Sequence, residues 1–144
     1  MGNLILAFVT LVPFFVSTTT QNVERAFLQN NPGMLYILLP TKSYINISLP
    51  TPISFSDQVS NQQAYFLFKK IFASYSTFEF YSEKQPSGSQ SVAVILKARW
   101  SFKDKKNNNQ YVFNIFFNLQ KIECQSNGKQ EGDWEITEIK AEKI

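Results

Sequence analysis

The chain has 144 residues, 44% of them apolar and 17% charged, with a formal net charge of +3. This balance describes one globular domain and excludes a disordered tail, a collagenous repeat or an array of modules. With no histidine and one cysteine, the composition also excludes a Ser-His-Asp triad, a Cys-His pair, a His-ligated metal, a two-cysteine zinc knuckle and an intrachain disulfide.

Gly2, Gly33, Gly88, Gly128 and Gly132 are too scattered for a phosphate-cradling loop or a dinucleotide fingerprint, so no cofactor is expected. From Leu4 through Val16 the chain reads LILAFVTLVPFFV without a charge, followed by Ser17-Thr18-Thr19-Thr20. A stable membrane-spanning helix needs about 20 apolar residues, and Pro13 weakens this run further. It is read as a signal peptide over residues 1–20, which sends a single domain, 21–144, to the periplasm or the exterior. No Lys or Arg precedes the run, and Ser17-Thr18-Thr19 is a poor cleavage site, so the competing reading is a hydrophobic amino-terminal helix or strand packed into the domain. No cysteine follows it to carry a lipid, and Leu6 stands where myristoylation needs Ser or Thr.

After the run, Asn22 is placed to cap a short first helix whose face carries Val23, Ala26 and Phe27. Asn31-Pro32-Gly33 breaks it, and Met34 to Leu39 is an apolar run closed by Pro40, a second short helix or turn under a sheet. Between Ser43 and Leu49, Tyr44, Asn46 and Ser48 alternate with Ile45, Ile47 and Leu49 in the period of a half-buried strand, which Pro50 and Pro52 end. Asn46-Ile47-Ser48 also matches the glycosylation sequon, a short pattern with meaning only in a eukaryotic secretory route. Ser60-Asn61-Gln62-Gln63 is a capping box, and Ala64, Leu67, Phe68, Ile71, Phe72 and Tyr75 then recur at helical spacing as a core stripe.

The remainder reads as strands. In Thr77 to Ser82, Phe78 and Phe80 share one side, and Pro86-Ser87-Gly88 turns the chain. Val92, Val94, Leu96, Ala98, Trp100 and Phe102 form an inward row; after the Lys103–Asn109 turn, Tyr111, Phe113, Ile115, Phe117 and Leu119 form another. The phase slips after Leu119, since Ile122 is out of step, and again between Ile136 and Ile139 in the last strand, Trp134 to Ile144. Each slip predicts a β-bulge, which bends a sheet. The helix at Ser60 to Ser74 is the long amphipathic element expected to fill the resulting concavity. Cys124 reads as a bland half-buried thiol, with no neighbouring cation to stabilise a thiolate.

The order of elements, with the Ser-capped helix carrying Gln63-Ala64-Tyr65-Phe66-Leu67-Phe68-Lys69-Lys70-Ile71-Phe72, resembles the nuclear transport factor 2-like superfamily. The signal segment, the Gln-Ala start of that helix and the terminal Trp134-Glu135-Ile136 strand are similar to a family of small secreted Bacteroidetes proteins of unknown function. The resemblance implies an α+β cystatin-like cone: a curved antiparallel sheet of about four to five strands wrapped around amino-terminal helices. Enzymatic branches of that superfamily, ketosteroid isomerases and dehydratases among them, set a carboxylate on the concave face, often with a histidine or tyrosine. Here the inward rows at Val92 to Phe102 and Tyr111 to Leu119 hold no acid. Glu79, Glu123 and Glu135 fall on outward or slipped positions, and Asp104, Glu131 and Asp133 in turns. A general base on the wrong face cannot reach substrate, so no catalytic residue and no metal site is expected.

The leading expectation is therefore a secreted, non-catalytic domain that recognises a protein or a small apolar ligand. Ile95, Arg99, Val112 and Phe116 on the outer sheet face are the candidate interface, including one for a homodimer. The alternative is a pocket enzyme of the isomerase or dehydratase type using Tyr and Arg, in a cavity lined by Tyr36, Tyr44, Tyr65, Trp100 and Tyr111. Lys103, Lys105 and Lys106 lie on one polar turn without interleaved aromatics, which reads as a solvated hairpin tip, so no nucleic-acid partner is expected.

Overall fold

The computed structural model describes residues 15–83, 92–122 and 133–144. Most of the apolar amino-terminal run, the Pro86-Ser87-Gly88 turn, Glu123, Cys124 and Glu131 lie outside the described residues. The elements are α1 (Phe15–Leu28), α2 (Pro32–Tyr36), β1 (Ile45–Leu49), β2 (Phe55–Val59), α3 (Asn61–Ser74), β3 (Tyr75–Ser82), β4 (Ala93–Asp104), β5 (Gln110–Lys121) and β6 (Trp134–Lys143).

Helix α1 is longer than the sequence predicts, and Asn22 lies inside it rather than capping it. The reason is a buried stripe that reaches back from Phe27, Ala26 and Val23 to Thr19, the spacing of one helical face. The helix ends on Asn30, whose φ of 49° lets its N–H reach Phe27 O at 3.1 Å while the Asn31 N–H reaches Ala26 O at 2.8 Å. That is a Schellman stop, with asparagine in the place usually held by glycine. Asn31 then caps α2 through a 3.0 Å bond from the Gly33 N–H, and Pro32 opens the helix at a position where its missing N–H costs nothing.

The capping box at α3 forms as expected: the Gln63 N–H donates to Ser60 Oγ at 3.2 Å and the Ser60 N–H to Gln63 Oε1 at 2.9 Å, an arrangement that contributes about 1 kcal/mol. Ala64, Phe68, Ile71 and Phe72 are buried. At the other end Lys105 donates from Nζ to Phe72 O and from its backbone N–H to Ser74 O, placing a cation against the carbonyls that close the helix.

The sheet has six strands in the order β2-β1-β6-β5-β4-β3. The extra strand is β2, which returns along β1 as an antiparallel hairpin. All ladders are antiparallel except β1 on β6, where Asn46, Ile47 and Ser48 pair in parallel with Glu138, Ile139 and Lys140. The inward rows of β4 and β5 are as expected from Val94 onward, but Val92 is 60% exposed.

Two bulges bend the sheet. In β6, Asn118 pairs with Glu138 and Leu119 with Ile136, leaving Thr137 as the extra residue that lets Ile136 and Ile139 both point inward. This is the slip anticipated in the last strand. The slip expected after Leu119 is no bulge of β5: Ile122 lies past the end of that strand, buried, and its N–H donates to Asp133 O at 2.7 Å. The second bulge is in β3, where Thr77 pairs with Phe102 and Glu79 with Ser101. Phe78 is the extra residue there, so it is 52% exposed while Phe80 is buried, and the two do not share a side as predicted.

The concave face is filled by α1 as well as α3. The Phe27 ring lies 5.9, 5.4, 4.5, 5.0 and 5.8 Å from those of Phe68, Phe72, Phe80, Trp100 and Phe117. Phe27 is the residue on which helices and sheet converge.

Candidate functional site

Inside the cone, Trp100 is fully buried and its indole N–H donates to Thr77 Oγ1 at 2.9 Å, which satisfies the polar atom that burial would otherwise strand. Its ring continues into Phe102 at 4.2 Å, and Phe102 stacks on Tyr111 at 5.6 Å. Tyr36 and Tyr65 meet edge to face at 5.7 Å where α2 and α3 pack. Tyr44 stands apart from both groups, 65% exposed, at the entry to β1. The five residues predicted to line a pocket thus occupy three places: Trp100 with Tyr111, Tyr36 with Tyr65, and Tyr44 alone on the surface.

Among the described residues, the buried polar side chains are Thr19 and Ser101. One carboxylate missed by the reading of the strands alone sits on α1: Glu24 accepts from both the backbone N–H and the hydroxyl of Ser82, tying α1 to the end of β3. Glu79 accepts from Ser101 Oγ at 3.3 Å and lies 3.7 Å from Arg99 Nε. Tyr75 donates weakly to Pro52 O, and its hydroxyl is held above the usual tyrosine range, first by burial and then by the charge of Asp104 and the proximity of Tyr111. A raised value means that the folded chain favours the neutral phenol. That contribution is complete below the unfolded value of 10.0 and is lost as pH climbs through the folded one. Chemical denaturation across the alkaline range should show stability falling above about pH 10, and less so for Tyr75→Phe.

On the outer face, the β4–β5 register sets Ile95 opposite Asn118, Lys97 opposite Phe116, Arg99 opposite Asn114 and Ser101 opposite Val112. The four candidate interface residues therefore share one two-strand patch, with Ile95 diagonal to Phe116 and Arg99 diagonal to Val112. Lys97 Nζ lies 5.9 Å above the Phe116 ring and 3.4 Å from Glu83. Ile95 is 60% exposed, whereas Val112 and Phe116 are half-buried.

Further across the same face lies a feature the sequence reading missed, because it depends on β2. A trough of about 280 Å³ runs over β2, β1 and β6. Its walls are two polar rows set by register, Gln58, Asn46 and Glu138 in one and Ser56, Ser48 and Lys140 in the other. Asn118 extends the first row by donating from Nδ2 to Glu138 Oε1 at 3.2 Å. No three His, Cys, Asp or Glu side chains gather as a metal site among the described residues, and no described helix is long and apolar enough to cross a membrane.

No family profile and no curated protein matches the sequence. Solved structures do resemble it. A DUF4783 family protein from Bacteroides ovatus superposes with a TM-score of 0.62 at 17% identity, over 85% of this chain and 93% of that one. An NTF2-like protein from Cytophaga hutchinsonii gives 0.58 at 10% identity, over 90% and 95%. A ketosteroid isomerase-like protein from Erwinia carotovora atroseptica gives 0.64 at 12% identity, over 95% and 98%. The chain has the nuclear transport factor 2-like fold, an α+β cone with a curved, unclosed sheet. Small Bacteroides proteins of the DUF4783 family are among its structural neighbours.

Proposed function

We propose that this chain is an exported, non-catalytic interaction domain that works through the outer face of its sheet, pairing there with a second copy of itself. The observation that carries this reading is where the aromatic bulk goes. Rings from α1, α3 and the inward strand rows pack on one another inside the cone, five of them around Phe27, which leaves recognition to the outside. There Ile95 and Phe116 form an apolar centre among Lys97, Arg99, Asn114 and Asn118, the mix of apolar core and polar rim that protein interfaces use. Export is supported by the uncharged run from Leu4 to Val16.

A second reading, an isomerase-type or dehydratase-type pocket using Tyr and Arg, draws on the isomerase-like neighbour and on Trp100 and Tyr111 sharing the inward rows. The self-pairing is tested by one measurement. Produced in a bacterium and recovered from the periplasm, the protein should sediment as a dimer, and Phe116→Asp should weaken assembly by about 30-fold or more, the scale of an interface hot spot. A wild-type monomer, or assembly indifferent to Phe116→Asp, removes the self-pairing.

A further inference from the structure

The trough over β2, β1 and β6 is a surface concavity whose lining the register explains, and its chemistry is selective. We propose that it binds one sugar unit of a neutral carbohydrate chain. In the outward rows one carboxylate, Glu138, is matched by one ammonium, Lys140, while Asp57 shares the register row of the buried Ile47 and Ile139, so no net positive charge draws phosphate or nucleic acid to the trough. An apolar ligand finds nothing to pack on, since the isoleucines of the lining, Ile47 and Ile139, are 1% and 0% exposed and belong to the core. A peptide strand finds no backbone partner along the floor, because β1 is already paired with β2 on one side and β6 on the other.

What the walls do offer is two amides, two hydroxyls, a carboxylate and an ammonium, arranged in two rows on adjacent strands. Donors and acceptors alternate at short range in such a lining, and adjacent hydroxyls on a sugar ring, each both donor and acceptor, satisfy it. Tyr44 supplies the remaining element. It stands two residues before Asn46, just ahead of β1, at 65% exposure, where the strand's alternation carried one residue back sets it beside the outward row, about 7 Å along the chain direction. Its ring face, negative from the π system, is a platform for the C–H face of a pyranose.

The volume of about 280 Å³ lies just under the range of about 300–1,000 Å³ for small-molecule sites. One ring therefore sits in the trough, and the chain continues past Tyr44. The Thr137 bulge adjoins Glu138, as bulges commonly adjoin sites where a side chain must be re-aimed, and the bond from Asn118 holds the Glu138 carboxylate in position.

The residues lining the trough lie on β1, β2 and β6 and the self-pairing patch on β4 and β5, so its test is separable from that of self-pairing. The full chain is screened on an array of neutral glycans, and the retained oligosaccharide is titrated while backbone amide resonances are followed. Shifts are expected at Asn46, Ser48, Gln58 and Glu138, in the wild type and in Phe116→Asp alike. Tyr44→Ala and Asn46→Ala, both at exposed positions that leave the core intact, should weaken binding about tenfold with unchanged melting. The proposal is overturned by an array without hits, by shifts confined to other strands, by affinity that both variants leave unaltered, or by calcium or inorganic phosphate alone giving the same shifts.

Discussion

Phe27→Ala should lower the free energy of unfolding by about 3–5 kcal/mol, the cost of emptying a large aromatic site in a packed core. Domains of this size are stable by only about 5–15 kcal/mol, so the variant should lose a large fraction of its stability. The effect belongs at the upper end because Phe27 cannot be replaced by local collapse. It is fully buried, and its ring is in contact with two rings from α3, one from β3, one from β4 and one from β5. A cavity there has walls from four elements, and relaxation on one side opens a gap on another. Leu28→Ala, one residue on and 49% exposed, is the control and should shift stability by no more than about 0.5 kcal/mol. Urea denaturation followed by the fluorescence of the two buried tryptophans, Trp100 and Trp134, reads both. A Phe27→Ala cost below about 1 kcal/mol would mean that α1 does not seat in the cone.

That α1 carries this residue explains a difference between sequence and fold. The hydroxyl at Thr19 masks a stripe that continues through Val23 to Phe27, so the polar run Ser17 to Thr20 reads as the edge of a separate segment although it is helical. Strand β2 is hidden for another reason. Phe55 and Val59 face the core, but Asp57, at the inward position between them, is exposed, as are Ser56 and Gln58, so in a short edge strand the period of two is broken at its middle. The central strands β4 and β5 are legible because one face of each is fully buried, which forces alternation onto the sequence. The same alternation puts Ile95, Arg99, Val112 and Phe116 on one side and sets Tyr44 with Asn46 and Ser48. The trough is not legible, since its three strands meet only through a hairpin with a weakly patterned strand and a parallel pairing of β1 with β6. Pairings that distant leave no local trace.

The alternation also predicts which single-residue deletions the sheet tolerates. Removing Thr137 joins Ile136 to Glu138, and the order Trp134, Glu135, Ile136, Glu138, Ile139, Lys140, Ala141 then alternates inward and outward without interruption. The observed pairings of Leu119 with Ile136 and Asn118 with Glu138 are already those of a regular ladder with Thr137 excised. The chain should therefore fold, losing the Thr137 hydroxyl bond to Asn118 O and some curvature, at about 1–3 kcal/mol. Removing Asn114 from β5 has the opposite consequence. Phe113 and Ile115 become neighbours, and a strand cannot point both to one face. Either Phe113 and Tyr111 turn outward, or Ile115, Phe117 and Leu119 do, and those three are all at 0% exposure. At about 1.5–3 kcal/mol for each buried side chain, the loss is comparable to the entire stability of a domain, so this variant should show no cooperative transition. Thermal melts followed by near-ultraviolet circular dichroism distinguish the two. If both deletions abolish the transition, the bulge does not sit at Thr137; if both melt cooperatively, the inward row of β5 is not what holds the core.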